Sequence, residues 1–289
     1  MSDVNISLID LGSLPDATAK VVCRFMDMLE RGAGYIVPSK ITRDAKYNAE
    51  AEIIKEIAGA TDLNPVVRLA VISNLKKMVK EYRNQTDVIA DVIPLLKADA
   101  KPELVDEDWI SLFMDKVKLI SDTHMQLLWS QLLAQEVNEP SSISKQLLWI
   151  FFQMSKTDAE NFEKIVSICV ELWENGKLLG ATPIISGVDE VIRKNFGISY
   201  DDIKNLESFG LIKLNEKSPF YYGAESELEI KYFDKKILVL KNGENTKTGM
   251  VCFTKAGFEL YRICKKKYDE KTYQYIFQTL QLLKRMKFF

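Results

Sequence analysis

Apolar residues recur every three or four positions through most of the first 175 residues, and after Gly176 give way to short runs rich in β-branched and aromatic residues. The first spacing is that of amphipathic helices, the second that of half-buried strands. A periodic run from Pro15 to Leu29, preceded by Ser13, predicts a helix stopped at Arg31-Gly32. Residues 41–57 predict a second helix, with Ala45, Ala49, Ile53 and Ile57 at four-residue spacing. A longer helix is expected from Pro65 to about Ile93, ended by Pro94. After the polar linker Lys97–Glu103 come two shorter helices split at Ser121, which caps the second with Asp122 in its first turn. Asn138–Ser142 is a break. Ile143–Met154 is apolar almost all round and predicts a buried helix, and Thr157–Glu160 reads as a capping box opening a helix to about Trp173.

Beyond Gly176 the pattern predicts a short helix from Ser199 to Gly210. Strands are expected at Leu211–Leu214, Leu228–Phe233, Lys236–Leu240 and Gly249–Phe253, the last two joined as a hairpin through Lys241-Asn242-Gly243. Thr254–Gly257 opens a helix towards Lys267, and Lys271–Lys287 closes the chain. Helix, short helix, hairpin and helix is the order of a winged-helix module. The expected fold is therefore mainly α: an all-helical domain over 1–175, then a small α+β winged-helix-like domain over 176–289 with basic C-terminal helices.

Charge divides unevenly. Residues 231–289 hold 14 Lys+Arg against 5 Asp+Glu, whereas the first 230 hold 25 against 36. That asymmetry makes the C-terminal end a candidate for an anionic partner. The four cysteines, Cys23, Cys169, Cys252 and Cys264, form no CxxC pair and suit buried apolar roles in a reducing compartment. The opening MSDVNISLIDLG lacks a basic start and a long apolar core, and the longest apolar run, Leu147–Phe152, is too short for a bilayer. The expectation is a cytoplasmic chain with no transmembrane segment.

The most distinctive stretch is Asp106–Glu136, which holds the sole histidine and two of the four tryptophans. Asp106, Glu107 and Asp108 before Trp109 read first as helix capping, because the helix dipole favours negative charge there. His124 reads as a structural histidine, since no Ser, Cys or second His accompanies it at catalytic spacing. Glu136 ends a helix, where the dipole disfavours a carboxylate, so an ion pair with Arg43 or Arg68 is expected. Trp109, Trp129, Trp149 and Trp173 are expected on helices, as core. In the tail, Lys265, Lys266, Lys267, Lys284, Arg285 and Lys287 interleave with Tyr268, Tyr273 and Tyr275. Such a pattern can neutralise phosphates and stack bases. No Walker loop or Gly-rich phosphate cradle is present, and no cofactor or metal is implied.

Three pieces of the chain resemble a bacterial family of uncharacterised proteins. They are Gly34…Pro38…Arg43-Asp44-Ala45, then Asp106–Trp109 with Ser121-Asp122…Met125-Gln126…Trp129…Leu133-Ala134…Glu136, and Pro140–Ser144 running into Ser155…Asp158-Ala159…Phe162. The resemblance covers roughly residues 30–165 and marks Asp108, Trp109, His124, Gln126, Trp129 and Glu136 as signature residues without a role. The C-terminal order is also similar to abortive-infection proteins of phage defence.

The leading expectation is a non-enzymatic interaction protein, oligomeric or bound to a protein or nucleic-acid partner, with Lys241, Lys247 and the basic tail in contact. A second reading is a winged-helix DNA-binding regulator, with Tyr200–Phe209 as recognition helix and Lys241–Lys247 as wing. A third is a metal-dependent hydrolase or nuclease built on Asp106, Asp108, His124 and Glu136.

Overall fold

The computed structural model describes residues 15–35, 52–59, 64–187 and 190–285. It is mainly helical, with a small sheet region towards the C-terminus, and divides into two compact units, Met1–Leu148 and Trp149–Phe289.

The first unit holds α1 (Asp16–Ala33), α2 (52–59), α3 (Pro65–Val92), α4 (Glu107–Val117) and α5 (Thr123–Asn138), while α6 (Lys145–Gln153) runs across the division. Ser13 and residues 41–51 of the second expected helix lie outside the described residues. α1 passes the stop expected at Gly32 and ends at Gly34, whose φ of 63° closes the helix. Gly32 has a different task. A Cβ there would lie 2.2 Å from Ile110 Cγ2, so the missing side chain lets α1 rest on α4. α3 is capped by Asn64, whose Oδ1 accepts the Val66 N–H at 2.9 Å, and its buried residues start only at Asn84. From there it lies along α5, where Ser130 Oγ donates to Val88 O at 3.1 Å. The cap of α5 is Asp122 rather than Ser121, accepting the Met125 N–H at 3.0 Å. Phe25, Ile89, Phe113, Trp129 and Leu132 are all fully buried in this unit.

The second unit opens with α7 (Lys156–Ser167). Its capping box is made by Ser155 and Asp158, two residues earlier than Thr157–Glu160 suggested: the Asp158 carboxylate accepts the Ser155 N–H at 2.7 Å and Ser155 Oγ the Asp158 N–H at 3.2 Å. The helix expected to reach Trp173 stops at Ser167. β1 (Cys169–Glu174) and β2 (Lys177–Pro183) follow as an antiparallel hairpin. Asn175 and Gly176, at φ 50° and 75°, make the two left-handed positions of its turn, the Asn-Gly signature of a tight hairpin. Cys169–Glu174 is thus a correction to the all-helical reading. Helix gives way to strand at Cys169, whereas the contact division falls earlier, at Leu148.

A four-stranded sheet has the order β2-β1-β5-β6, with β5 (Leu228–Tyr232) and β6 (Lys235–Leu240). β3 (Ile212–Leu214) pairs with β8 (Val251–Phe253), and β4 (Phe220–Gly223) with β7 (Asn245–Gly249). The hairpin expected between Lys236–Leu240 and Gly249–Phe253 does not form. β6 turns back on β5 through Phe233, which adopts φ 53°. A left-handed aromatic residue is a turn no composition rule flags. Lys241-Asn242-Gly243 therefore joins two different sheets. α8 (Glu190–Phe196), α9 (Tyr200–Ser208), α10 (Lys255–Ile263) and α11 (Glu270–Arg285) complete the unit. Under the sheet, Val170, Leu172, Leu228 and Ile230 pack with Ile276 and Leu280 of α11. Among the described residues no helix is long and apolar enough to cross a membrane.

Candidate functional site

Two signature residues of the first unit, Glu136 and Trp109, meet at one turn. Glu136 is 2 % exposed, and its carboxylate accepts the backbone N–H of Ser141 at 2.7 Å and of Ile143 at 2.8 Å. Ser141 sits at φ 67°. Of the two arginines expected to pair with it, Arg43 lies outside the described residues and Arg68 Nη1 donates to Ala58 O. The Ile143 carbonyl in turn accepts Trp109 Nε1 at 2.9 Å. Trp109 stacks on Phe113 at 5.4 Å, and Phe113 meets Trp129 edge-on at 5.3 Å. Asp106 caps α4 through the Trp109 N–H at 2.8 Å, while Lys145 bridges Asp106 at 2.8 Å and the exposed Asp108 at 3.6 Å. Gln126 Nε2 donates to Ile120 O across the α4–α5 connection, and His124 is half-buried in the first turn of α5. The segment fixes the turn after α5 and the α4–α5 connection. Asp106, Asp108, His124 and Glu136 form no metal-binding group, and no cluster of three or more His, Cys, Asp or Glu able to hold a metal occurs among the described residues.

The second unit carries a cleft of about 440 Å³ on the outer face of its sheet. Strand alternation builds it. Val170 and Leu172 of β1 point into the core, so Cys169, Glu171 and Trp173 share the opposite face. Glu171 stands in register with Lys231 of β5, and Lys231 with Lys236 of β6. Tyr261 of α10 and Lys266 and Lys267 of the segment that follows wall the other side.

Glu171 is the hub. It accepts Lys266 Nζ at 2.6 Å, Tyr261 Oη at 2.9 Å and Trp173 Nε1 at 3.0 Å. Burial pushes its carboxyl up, but Lys266 and the two ring donors outweigh that and hold it below the usual carboxylate range. The Lys266 ammonium also lies 4.1 Å from the Tyr261 ring centroid, and Lys231 lies 5.1 Å from that of Trp173. Glu229 pairs with Lys231 at 2.5 Å and also with Lys236. Burial raises the Cys169 thiol well above its ordinary value and pushes the Tyr261 hydroxyl upward too. Neither is poised as a nucleophile, since the thiolate is the reactive form and burial opposes it. The cleft offers binding groups.

Of the basic residues singled out from the sequence, Lys266 and Lys267 line the cleft. Lys265 is exposed beside them and Lys284 is exposed on α11; Arg285 ends that helix, while Lys287 lies outside the described residues. Lys241 donates its backbone N–H to Glu244 in the turn, and Lys247 of β7 lies 5.7 Å from the Tyr221 ring. Trp109 and Trp129 are core as expected, but Trp149 is 49 % exposed and Trp173 lies on a strand at the cleft. Cys23 is exposed, against expectation, and the other three cysteines are buried. Sequence reasoning missed Glu171, Trp173, Lys231 and Tyr261; Asn175-Gly176 between alternating segments was the signal for the strand that carries the first two.

One family model, described as protein of unknown function (DUF2806), matches residues 73–277. No curated protein and no solved structure matches the chain.

Proposed function

The chain belongs to the DUF2806 family, and from that premise, which brings no reaction with it, we propose that it is a non-enzymatic interaction protein whose second unit binds single-stranded nucleic acid. One observation carries this reading: a cation and an aromatic face share a single opening, the exposed Lys267 and the half-buried Trp173. Cations neutralise phosphates and flat rings stack bases of any identity. Glu229 holds Lys231 and Lys236 and Glu171 holds Lys266, which leaves the exposed Lys267 of the same lining as the phosphate contact. The test is fluorescence anisotropy of a labelled oligodeoxycytidylate with the full chain at low and high salt. Affinity that falls steeply with salt supports the proposal. Absence of binding at low salt, or binding indifferent to salt, overturns it and leaves a protein partner as the alternative.

The order of α8, α9, the β3–β8 pair and α10 is also that of a winged helix, and we assign it a scaffolding role. α9 carries Asp201, Asp202 and Glu207 against Lys204. Its Asp202 accepts Asn161 Nδ2 at 2.6 Å, and its Asn205 donates to Asp158 at 2.5 Å, so these polar groups hold α9 to α7. The setting we propose is bacterial phage defence, on the likeness of the C-terminal order; plaque yield on cells with and without the chain tests it.

A further inference from the structure

We propose that the cleft is a site for one nucleotide unit bearing an exocyclic amino group, with the phosphate at Lys267, the base amine at Asp234 and the base face against Trp173. This rests on the nucleic-acid reading and narrows it to one opening and one ligand class.

Four ammonium groups and two carboxylates line the cleft. Lys266 is bound to Glu171, and Lys231 and Lys236 to Glu229. Glu171 is further engaged by Tyr261 and Trp173. That leaves Lys267 and Asp234, both exposed at the rim and neither paired with a described residue. A ligand that satisfies both must present an anion at one end and a hydrogen-bond donor at the other. Trp173, half-buried in the same lining, adds a flat apolar face. A nucleotide of cytosine, adenine or guanine meets all three requirements. Uridylate and thymidylate offer in place of the amine only an imide N–H flanked by two carbonyl oxygens that repel a carboxylate, so they bind more weakly. At about 440 Å³ the cleft falls within the size range of small-molecule sites. It is a socket for a splayed-out base, as single-strand readers use.

The test is calorimetry on the full chain with cytidine 5′-monophosphate, uridine 5′-monophosphate, cytidine and inorganic phosphate, beside the oligonucleotide measurement. The cytidylate should bind at least about tenfold tighter than each of the other three, the span of one charge-assisted hydrogen bond. Lys267→Ala should weaken cytidylate by about tenfold. Asp234→Ala should bring the cytidylate-to-uridylate ratio towards one. Lys255→Ala, at an 86 % exposed side chain away from the cleft, should change nothing and so controls for net charge. All three positions are exposed, and circular dichroism checks that each variant folds. Phosphate binding as tightly as cytidylate, or indifference to Lys267→Ala, overturns the nucleotide assignment. An oligonucleotide that binds while cytidylate does not sinks the cleft and spares the nucleic-acid reading. Cytidylate that binds alone does the reverse, and silence from both removes both.

Discussion

Lys266 Nζ stands 2.6 Å from Glu171 Oε1 across 95 residues of sequence, tying the segment after α10 to the middle of β1. Because the Glu171 carboxyl is held below its ordinary 4.5, the unfolded chain binds that proton more readily than the folded one. The stabilisation from Glu171 is therefore complete above pH 4.5 and lost as pH falls from there through the folded value. Melting temperature followed down from neutral pH should drop more steeply in the native chain than in Glu171→Gln over that acid window. Parallel profiles would contradict the pairing.

Glu136 gives a second prediction, in the first unit. Its two oxygens satisfy the amides of Ser141 and Ile143, the second of them buried. Glu136→Ala leaves those donors without their acceptor, at about 1–3 kcal/mol for each buried group. The variant should lose about 2–4 kcal/mol in urea unfolding, with oligonucleotide affinity intact where the second unit stays folded. A loss of binding without a loss of stability would make Glu136 a functional residue instead.

How far the chain was legible follows the range of the forces. Pro65, Asn64 and Gly210 act within a turn or so of themselves, and the helices they bound stood where periodicity put them. Strand pairing did not, because β6 meets β5 through a left-handed Phe233 and β3 meets β8 across a long insertion. Glu171 and Trp173 were hidden by a local error of kind: Val-x-Leu at period two was taken into the preceding helix. Glu136 was visible as an oddity at a helix end. Its partners are backbone amides five and seven residues on, and a carboxylate facing peptide N–H groups leaves no trace in side-chain composition.

Gly257 should be irreplaceable. A Cβ there would lie 1.8 Å from Leu211 O and 2.9 Å from Leu211 C, backbone atoms that cannot rotate away. Thr254 closes the same contact, accepting the Gly257 N–H at 3.1 Å with its hydroxyl 2.6 Å from Gly210 O. Gly257→Ala should cost about 3 kcal/mol or more, at or beyond the upper end of overpacking. At Gly223 a Cβ would approach nothing closer than Glu244 O at 3.9 Å, so Gly223→Ala should stay within about 1 kcal/mol. Similar costs at the two sites would show that α10 does not dock on Leu211 as described.

Duplex DNA separates the scaffold from the regulator. A winged-helix reader places its second helix in the major groove and its wing on the backbone. Here the helix in that position carries three carboxylates and one lysine, and Lys204 is itself held by Glu207 at 3.1 Å and Glu216 at 3.5 Å. The would-be wing, Lys241 to Lys247, is a connection between two sheets, with Lys241 in a turn closed by Glu244 and Lys247 beside Tyr221. A duplex should therefore bind more weakly than a single strand of the same length, and Lys241→Ala with Lys247→Ala should leave single-strand affinity within about twofold, as expected for lysines remote from the phosphate contacts. A duplex preference abolished by that pair of substitutions would restore the regulator and move the binding surface from the cleft to α9.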